Sequence, residues 1–326
     1  MYIPQRQLSN LSDAVRPGKV VVIYGPRRAG KTTLLHKFLE AVDDDFLFVN
    51  GDDILVREYL ESQSIEKLKD FVGNHSMLVV DEAQYIHQIG LNLKIMVDHI
   101  PSLQVIATGS SSFDLAKDIG EPLTGRKTVL QLLPLAQLEI AQLEKLHQTK
   151  AHLDSRLIYG AYPEVVIRQS NHEREQYLRE LISSYLFKDI HQLEGIRHSD
   201  KLHRLVQLLA FQIGREVSLA ELGRQLGMSK NTVERYLDLL EKVFVVFKRS
   251  GFSRNLRKEI VKNHRYYFYD NGIRNALINN FNLLSIRNDI GELWENYVTA
   301  ERLKRQEYLR RPVNAYFWRT YDKKEI

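Results

Sequence analysis

The chain has 326 residues, 44% of them hydrophobic and 27% charged, with a net charge of +5 and no cysteine. At roughly 150 residues per domain, this length accommodates two or three domains, each able to bury a core. The lack of cysteine excludes a disulfide scaffold, a zinc ribbon, an iron–sulfur centre and a cysteine nucleophile. The opening MYIPQRQLSN has no apolar core of the signal-peptide kind. Runs such as VVVIY and MLVV are far shorter than the ~20 residues of a membrane span. The expectation is a cytoplasmic protein with no membrane partner. The positive excess is local: residues 197–265 hold 15 basic and 7 acidic groups, a block of +8. Two readings of that block are open, a nucleic-acid footprint and a solvated basic face.

In chain order, KVVVIYG (19–25) is a continuous apolar run ending in glycine, the pattern of a strand buried on both faces. A helical segment from Lys31 to Val42 follows, then strand FLFVN (46–50), a helical stretch, strand MLVVD (77–81), another helix and strand LQVIATG (103–109). This alternation predicts an α/β fold, a parallel sheet with helices on both faces whose ligands bind beyond the carboxyl ends of the strands. From about Ala136 to Leu193 the pattern is mostly helical, interrupted at GAYPE (160–164). Short helices and a β-hairpin are expected from Arg197 to Asp270, then a helix over Glu292–Gln306 and an aromatic strand NAYFWR. No internal repeat is present. The chain stops at YDKKEI, within what reads as the second strand of a hairpin, and a truncation is expected there.

The chemistry-bearing signal is Gly25-Pro26-Arg27-Arg28-Ala29-Gly30-Lys31-Thr32, followed by Thr33. It is the phosphate-loop pattern GxxxxGK[ST], set between a buried strand and a helix as its mechanism requires. Gly25 and Gly30 permit backbone conformations and close approach that a β-carbon would block. The N–H groups of the loop and the helix N-terminus can then surround β- and γ-phosphates. Lys31 supplies a point charge there, and Thr32 a hydroxyl ligand for Mg²⁺. About 50 residues later, Asp81 ends an apolar strand as a second Mg²⁺ ligand, and Glu82 is of the type that deprotonates an attacking water. ATP and Mg²⁺ are the expected ligands. Thr108 and Ser110 end a further strand, and spacing does not separate them as the residue that senses the γ-phosphate or holds the lytic water. Ser111 and Ser112 read equally well as helix N-caps. Arg126, in LTGR (123–126), is a candidate for transition-state stabilisation from a neighbouring subunit or else a surface arginine.

Residues 218–241, SLAELGRQLGMSKNTVERYLDLLE, read as a helix-turn-helix. Leu219, Leu222, Leu226, Val233, Leu237 and Leu240 supply apolar faces, Gly227 the turn and Ser229 an N-cap. Lys230, Asn231, Thr232 and Arg235 would face outward, suited to phosphates and base edges. FVVFKRS (244–250) and RYYFYD (265–270) look like the strands of a wing, with Arg254, Arg257, Lys258 and Lys262 in the loop between them as DNA-contacting candidates. The alternative is a winged helix used for packing or subunit contacts. The aromatic run 266–269 reads as core rather than as a base-stacking platform. His191, His198 and His203 lack metal-ligand spacing.

GPRRAGKT, LVVDEAQ, ATGSSS and LTGR, in that order, followed by GAYPEV (160–165), KDI (188–190), YYFYDNGI (266–273) and LWENYV (293–298), resemble the prokaryotic predicted ATPases of the AAA+ superfamily with a C-terminal domain of unknown function 4143. The resemblance implies an AAA+ core over 1–135, a helical lid over 136–196, a winged-helix domain over 197–275 and a partial nuclease-like domain over 276–326. It implies phosphate and magnesium binding by Lys31, Thr32 and Asp81, catalysis by Glu82, a sensor at Thr108 or Ser110, and an arginine finger at Arg126. It also implies a ring, commonly a hexamer. The order of core, lid and winged helix is similar to that of the bacterial Holliday-junction branch-migration motor, so duplex or branched DNA is the expected substrate. The alternative is a nucleotide-gated switch of defence or toxin–antitoxin systems that binds a protein partner. Glu295 and FWRTYDKKEI match the start of a PD-(D/E)xK-type nuclease fold, whose further carboxylates are not reached, so no complete nuclease site is expected.

Overall fold

The computed structural model describes residues 2–43, 45–110, 122–186, 199–252, 264–311 and 313–318. The chain divides into two compact units, one over Tyr2–Leu133 and one from Pro134 onward.

In the first unit, helix α1 (Gln7–Ala14) precedes β1 (Val20–Tyr24), α2 (Lys31–Leu39), β2 (Phe46–Asn50), α3 (Ile54–Leu60), α4 (Ile65–Val72), β3 (Met77–Asp81), α5 (Ile89–His99), β4 (Gln104–Gly109) and β5 (Lys127–Gln131). All five strands are parallel, in the order β2-β3-β4-β1-β5. Every residue of β1 and of β3 is buried, as β-branched and other apolar side chains between two helical layers require. Leu34, Leu35 and Phe38 of α2 and Leu11 of α1 pack on Val21, Ile23, Val79 and Ile106. Burying each such side chain stabilises the unit by roughly 1.5–3 kcal/mol. From β1 the chain runs out to β2 and returns through β3 to β4, then crosses β1 to reach β5. The topological switch therefore lies at β1 and β4, whose carboxyl ends mark the edge where sheets of this kind bind their ligands.

FLFVN forms the strand read from the sequence, at an edge of the sheet with its ends exposed, whereas one further strand was not read. KTVLQ, which lacks a continuous apolar run, forms the opposite edge as β5 beside β1.

The second unit contains α6 (Gln137–Ile140), α7 (Leu146–Ala151), α8 (Leu153–Tyr159), α9 (Pro163–Ile167) and α10 (Asn171–Leu181). These are followed by α11 (Ser199–Ala210), β6 (Glu216–Val217), α12 (Leu219–Leu226), α13 (Lys230–Lys242), β7 (Val246–Gly251), β8 (His264–Phe268), α14 (Asn271–Leu277), α15 (Ile290–Tyr308) and β9 (Tyr316–Phe317). Strands β6, β8 and β7 pair antiparallel and β9 adds parallel to β7. One apolar cluster runs from Ile158 to Ala300 through α8, α11, α12, α13, β7, β8 and α14. Tyr266, Tyr267 and Phe268 lie in it, 0–6% exposed, so their rings serve the core and are not available to stack on bases.

A buried polar hub ties this unit together and gives GAYPEV, YYFYDNGI and LWENYV a structural chemistry. Asp270 accepts from Ala161 N at 2.7 Å and from Ile273 N at 3.2 Å. Asn271 donates to the carbonyls of Leu157 and Leu293, and Asn275 to those of Leu157 and Ile158. Asn296 spans Phe268 by accepting from its N–H and donating to its carbonyl. A Cβ on Gly160 would collide with the Asp270 carboxylate, and one on Gly272 with the Tyr159 carbonyl. These backbone groups lie where water does not reach, so each bond avoids a penalty of about 1–3 kcal/mol. Burial raises the Asp270 carboxyl above its ordinary range, opposed by Lys304 and the backbone donors.

Candidate nucleotide site

The loop from Gly25 to Gly30 joins the buried end of β1 to the start of α2. A Cβ on Gly25 would run into the Leu132 carbonyl, which passes directly against it. Arg28 and Gly30 have φ of 64° and 97°, so the loop turns through left-handed conformations on its way into the helix. Pro26 and Ala29 are buried, Arg27 is half-buried, and Arg28, Thr32 and Thr33 are exposed. Lys31 is 5% exposed, and its Nζ donates to the carbonyls of Gly25 and Pro26 at 3.0 and 3.1 Å. The ammonium thus lies inside the curl of the loop.

The two halves of the site meet through hydroxyls. Thr32 Oγ1 donates to Asp81 Oδ2 at 2.7 Å, and Thr108 Oγ1 donates to Asp81 Oδ1. The N–H of Glu82 donates to Asp81 Oδ1 at 3.1 Å and to Thr108 Oγ1 at 3.2 Å. Thr108 ends β4, which lies between β1 and β3, so its hydroxyl reaches the carboxylate at the end of β3. Ser110 is buried one step beyond, and its N–H donates to Gln84 Oε1 at 3.2 Å. Gln84 Nε2 in turn donates to Glu82 Oε2. A hydroxyl and a carboxylate oxygen side by side, next to a glycine-lined loop of N–H donors, are the donor set a hard divalent cation and a polyphosphate require.

Arg126 stands apart from this cluster. Lys127 pairs with Val20, so Arg126 lies at the end of the sheet where β1 begins, about 16 Å of strand from the loop. Its Nε donates to Asp98 Oδ1 at 2.5 Å. Three residues not singled out in sequence belong to the site's surroundings. Gln84 bridges Glu82 and Ser110, Tyr85 accepts at its hydroxyl from Arg27 at 3.0 Å, and Gln5 Nε2 donates to the Ala29 carbonyl at 3.1 Å. The Q of LVVDEAQ was a visible signal for Gln84; nothing local marked Gln5 or Tyr85.

In the second unit, Ser218 caps α12 by accepting from Glu221 N, and Ser229 caps α13 by accepting from Thr232 N. Gly227, at φ 59°, makes the turn between them. Lys230, Asn231 and Arg235 are exposed on α13, whereas Thr232 is half-buried with its hydroxyl 2.8 Å from Ser229 Oγ. Arg254, Arg257, Lys258 and Lys262 lie outside the described residues.

Comparison with known proteins agrees with this geometry. Residues 17–141 match the model of an AAA domain, and residues 150–284 match a domain of unknown function (DUF8612). The second match replaces the domain of unknown function 4143 expected from the C-terminal motifs. Of those motifs, GAYPEV, KDI and YYFYDNGI fall inside the matched range; the first and last contribute to the buried hub, and KDI lies outside the described residues. Over its whole length the chain is 26% identical to an uncharacterized protein of Mycobacterium tuberculosis, spanning 71% of it. An uncharacterized protein of Methanocaldococcus jannaschii is 24% identical, with 89% of this chain and 67% of the relative covered. In three dimensions the chain is similar to the Walker-type ATPase of Pyrococcus abyssi, with a TM-score of 0.58 at 14% identity, covering 85% of this chain and 96% of that one. The sheet order and the loop give the first unit a P-loop α/β fold, and its residues 17–141 are similar to an AAA domain.

Proposed function

We propose that this protein is a Mg²⁺-dependent ATPase that works as an oligomer and engages DNA through a winged helix. The carrying observation for hydrolysis is the cluster in which Thr32, Asp81, Thr108 and Glu82 share hydrogen bonds at the mouth of the loop. Thr32 and Asp81 would hold Mg²⁺, which when bound supplies positive charge beside the β- and γ-phosphates. Lys31 gives up the Gly25 and Pro26 carbonyls for phosphate oxygens. Thr108 keeps Asp81 and the Glu82 backbone in register. Glu82 accepts the proton of the attacking water, with Gln84 orienting its carboxylate.

Support for shared sites comes from Arg126. At the start of β5 it lies about 16 Å of strand from its own loop, so a role in hydrolysis would be played at a neighbour's site after it leaves Asp98. A guanidinium supplied in that way is worth about 10³–10⁵ in rate. Support for DNA comes from α13, the second helix of a capped helix-turn-helix inside the +8 block, on which Lys230, Asn231 and Arg235 are exposed. The helix–strand–helix–helix–strand–strand succession over 199–268 supports the winged-helix reading.

The test is the ATPase rate with and without duplex, single-stranded and four-way-junction DNA, at low and physiological salt. Several-fold stimulation that fades as salt rises is expected, because phosphate contacts release counterions. The most stimulating DNA names the substrate class. A flat response on every DNA, with basal hydrolysis intact, would contradict the DNA reading and favour a protein-partnered switch.

A further inference from the structure

The segment ahead of α1 makes a contact with the phosphate loop that neither hydrolysis nor sheet formation requires. Gln5 is 6% exposed. Its Nε2 donates to the Ala29 carbonyl at 3.1 Å, and a Cβ on Gly30 would stand 2.9 Å from the same nitrogen. The amide therefore lies against the wall of the loop where α2 begins. A carbonyl only accepts, so the atom facing Ala29 must be the amide nitrogen and the other terminus the oxygen. That oxygen, Oε1, is buried and has no hydrogen-bond partner among the described residues. Native proteins rarely leave such an acceptor unspent, because its desolvation goes uncompensated. The neighbouring Gln7 shows the usual arrangement: its Nε2 donates to the Gln131 carbonyl and its Oε1 accepts from Asn10.

We infer that Gln5 reads the base of the bound nucleotide, its Oε1 accepting from the exocyclic amino group of adenine. The inference rests on the reading of the loop as an ATP site. Adenine offers an N–H donor at position 6, whereas guanine and hypoxanthine offer an oxygen that only accepts. With Nε2 committed to Ala29, the amide cannot turn over to suit that oxygen. Donor–acceptor matching of this kind also pairs glutamine with adenine in DNA recognition. A site built to receive a hydrogen bond rejects a ligand that cannot give one.

The experiment is equilibrium titration of ADP, inosine diphosphate and tripolyphosphate into the wild-type chain and into Gln5→Ala, Gln5→Met and Lys31→Ala. The wild type should prefer ADP over inosine diphosphate by about tenfold. Both Gln5 variants should narrow that preference to within about twofold by weakening ADP, with tripolyphosphate affinity unchanged, which also shows that the loop is still folded. Absence of a wild-type preference would overturn the inference. So would equal weakening of all three ligands in the Gln5 variants, which would make Gln5 a brace of the loop and leave the ATP reading standing. ADP binding that is absent, or that survives in Lys31→Ala, would instead remove the ATP site and the inference with it.

Discussion

Glu82 has φ of 52°, a left-handed conformation that costs a side-chain-bearing residue about 1–2 kcal/mol. The strain is held by the two bonds its N–H makes to Asp81 and Thr108, and it carries the backbone away from the strand direction just after Asp81, the residue proposed to hold Mg²⁺. Glu82→Gln should therefore keep nucleotide affinity while turnover falls by about 10²–10⁴. Single-turnover hydrolysis beside an equilibrium binding curve checks this, and normal turnover would remove Glu82 as the base. Much of this site was legible in sequence because its chemistry demands neighbours at fixed spacing: loop and helix for phosphate, strand and carboxylate for metal. Gln5 was not legible, since its partner Ala29 is 24 residues away and only the fold brings them together. For Thr108 and Ser110 the strand register, invisible in sequence, puts the first against Asp81 and buries the second behind Gln84.

Element by element, β1, β3 and β4 could be read because burial on both faces leaves a continuous apolar run, and β2 because its edge position still keeps four apolar residues in a row. β5 could not: its residues are mostly half-exposed at a sheet edge, so KTVLQ carries no such run. The helix-turn-helix could be read because caps, a left-handed glycine and apolar spacing coincide. Its exit holds a titration that sequence does not announce. Glu241, near the end of α13, has Oε1 buried without a partner among the described residues, and Lys248 stands 3.6 Å away. Burial pushes its carboxyl up to about 7, with Lys248 opposing and Asp238 adding to the rise. A raised carboxyl stabilises the fold fully below its ordinary value of 4.5, and that contribution is lost as pH rises toward 7. Glu241→Gln should match the wild type at pH 4.5 and exceed it at pH 8 by on the order of 2 kcal/mol. Urea denaturation at the two pH values decides, and parallel pH profiles would contradict the placement of Glu241. The opposite case is Asp289. Burial works against its charge, yet hydrogen bonds from Arg287 and Arg274 hold its carboxyl down to about 2, so its contribution persists well into acid.

At the scale of the whole molecule, charge is segregated: the +8 block lies in the second unit and the phosphate loop in the first. Among the described residues no helix is long and apolar enough to cross a membrane. If neighbouring copies complete each other's sites, Arg126→Ala should bind ATP normally and hydrolyse it poorly. Mixing it with Glu82→Gln, after subunit exchange has been demonstrated, should restore part of the activity. No recovery would leave each site confined to one chain. Assembly is the property sequence displays least, because a residue that serves a neighbour is placed by a surface and not by local spacing.

The most direct test of the central claim, that the loop between β1 and α2 is a hydrolytic nucleotide site, is phosphate release from ATP by the wild-type chain and by Lys31→Ala, with Mg²⁺ and with a chelator. Mg²⁺-dependent release by the wild type, abolished together with ATP binding in Lys31→Ala, is the result predicted. Release that survives in Lys31→Ala, or a wild type that neither binds nor cleaves ATP, would contradict it.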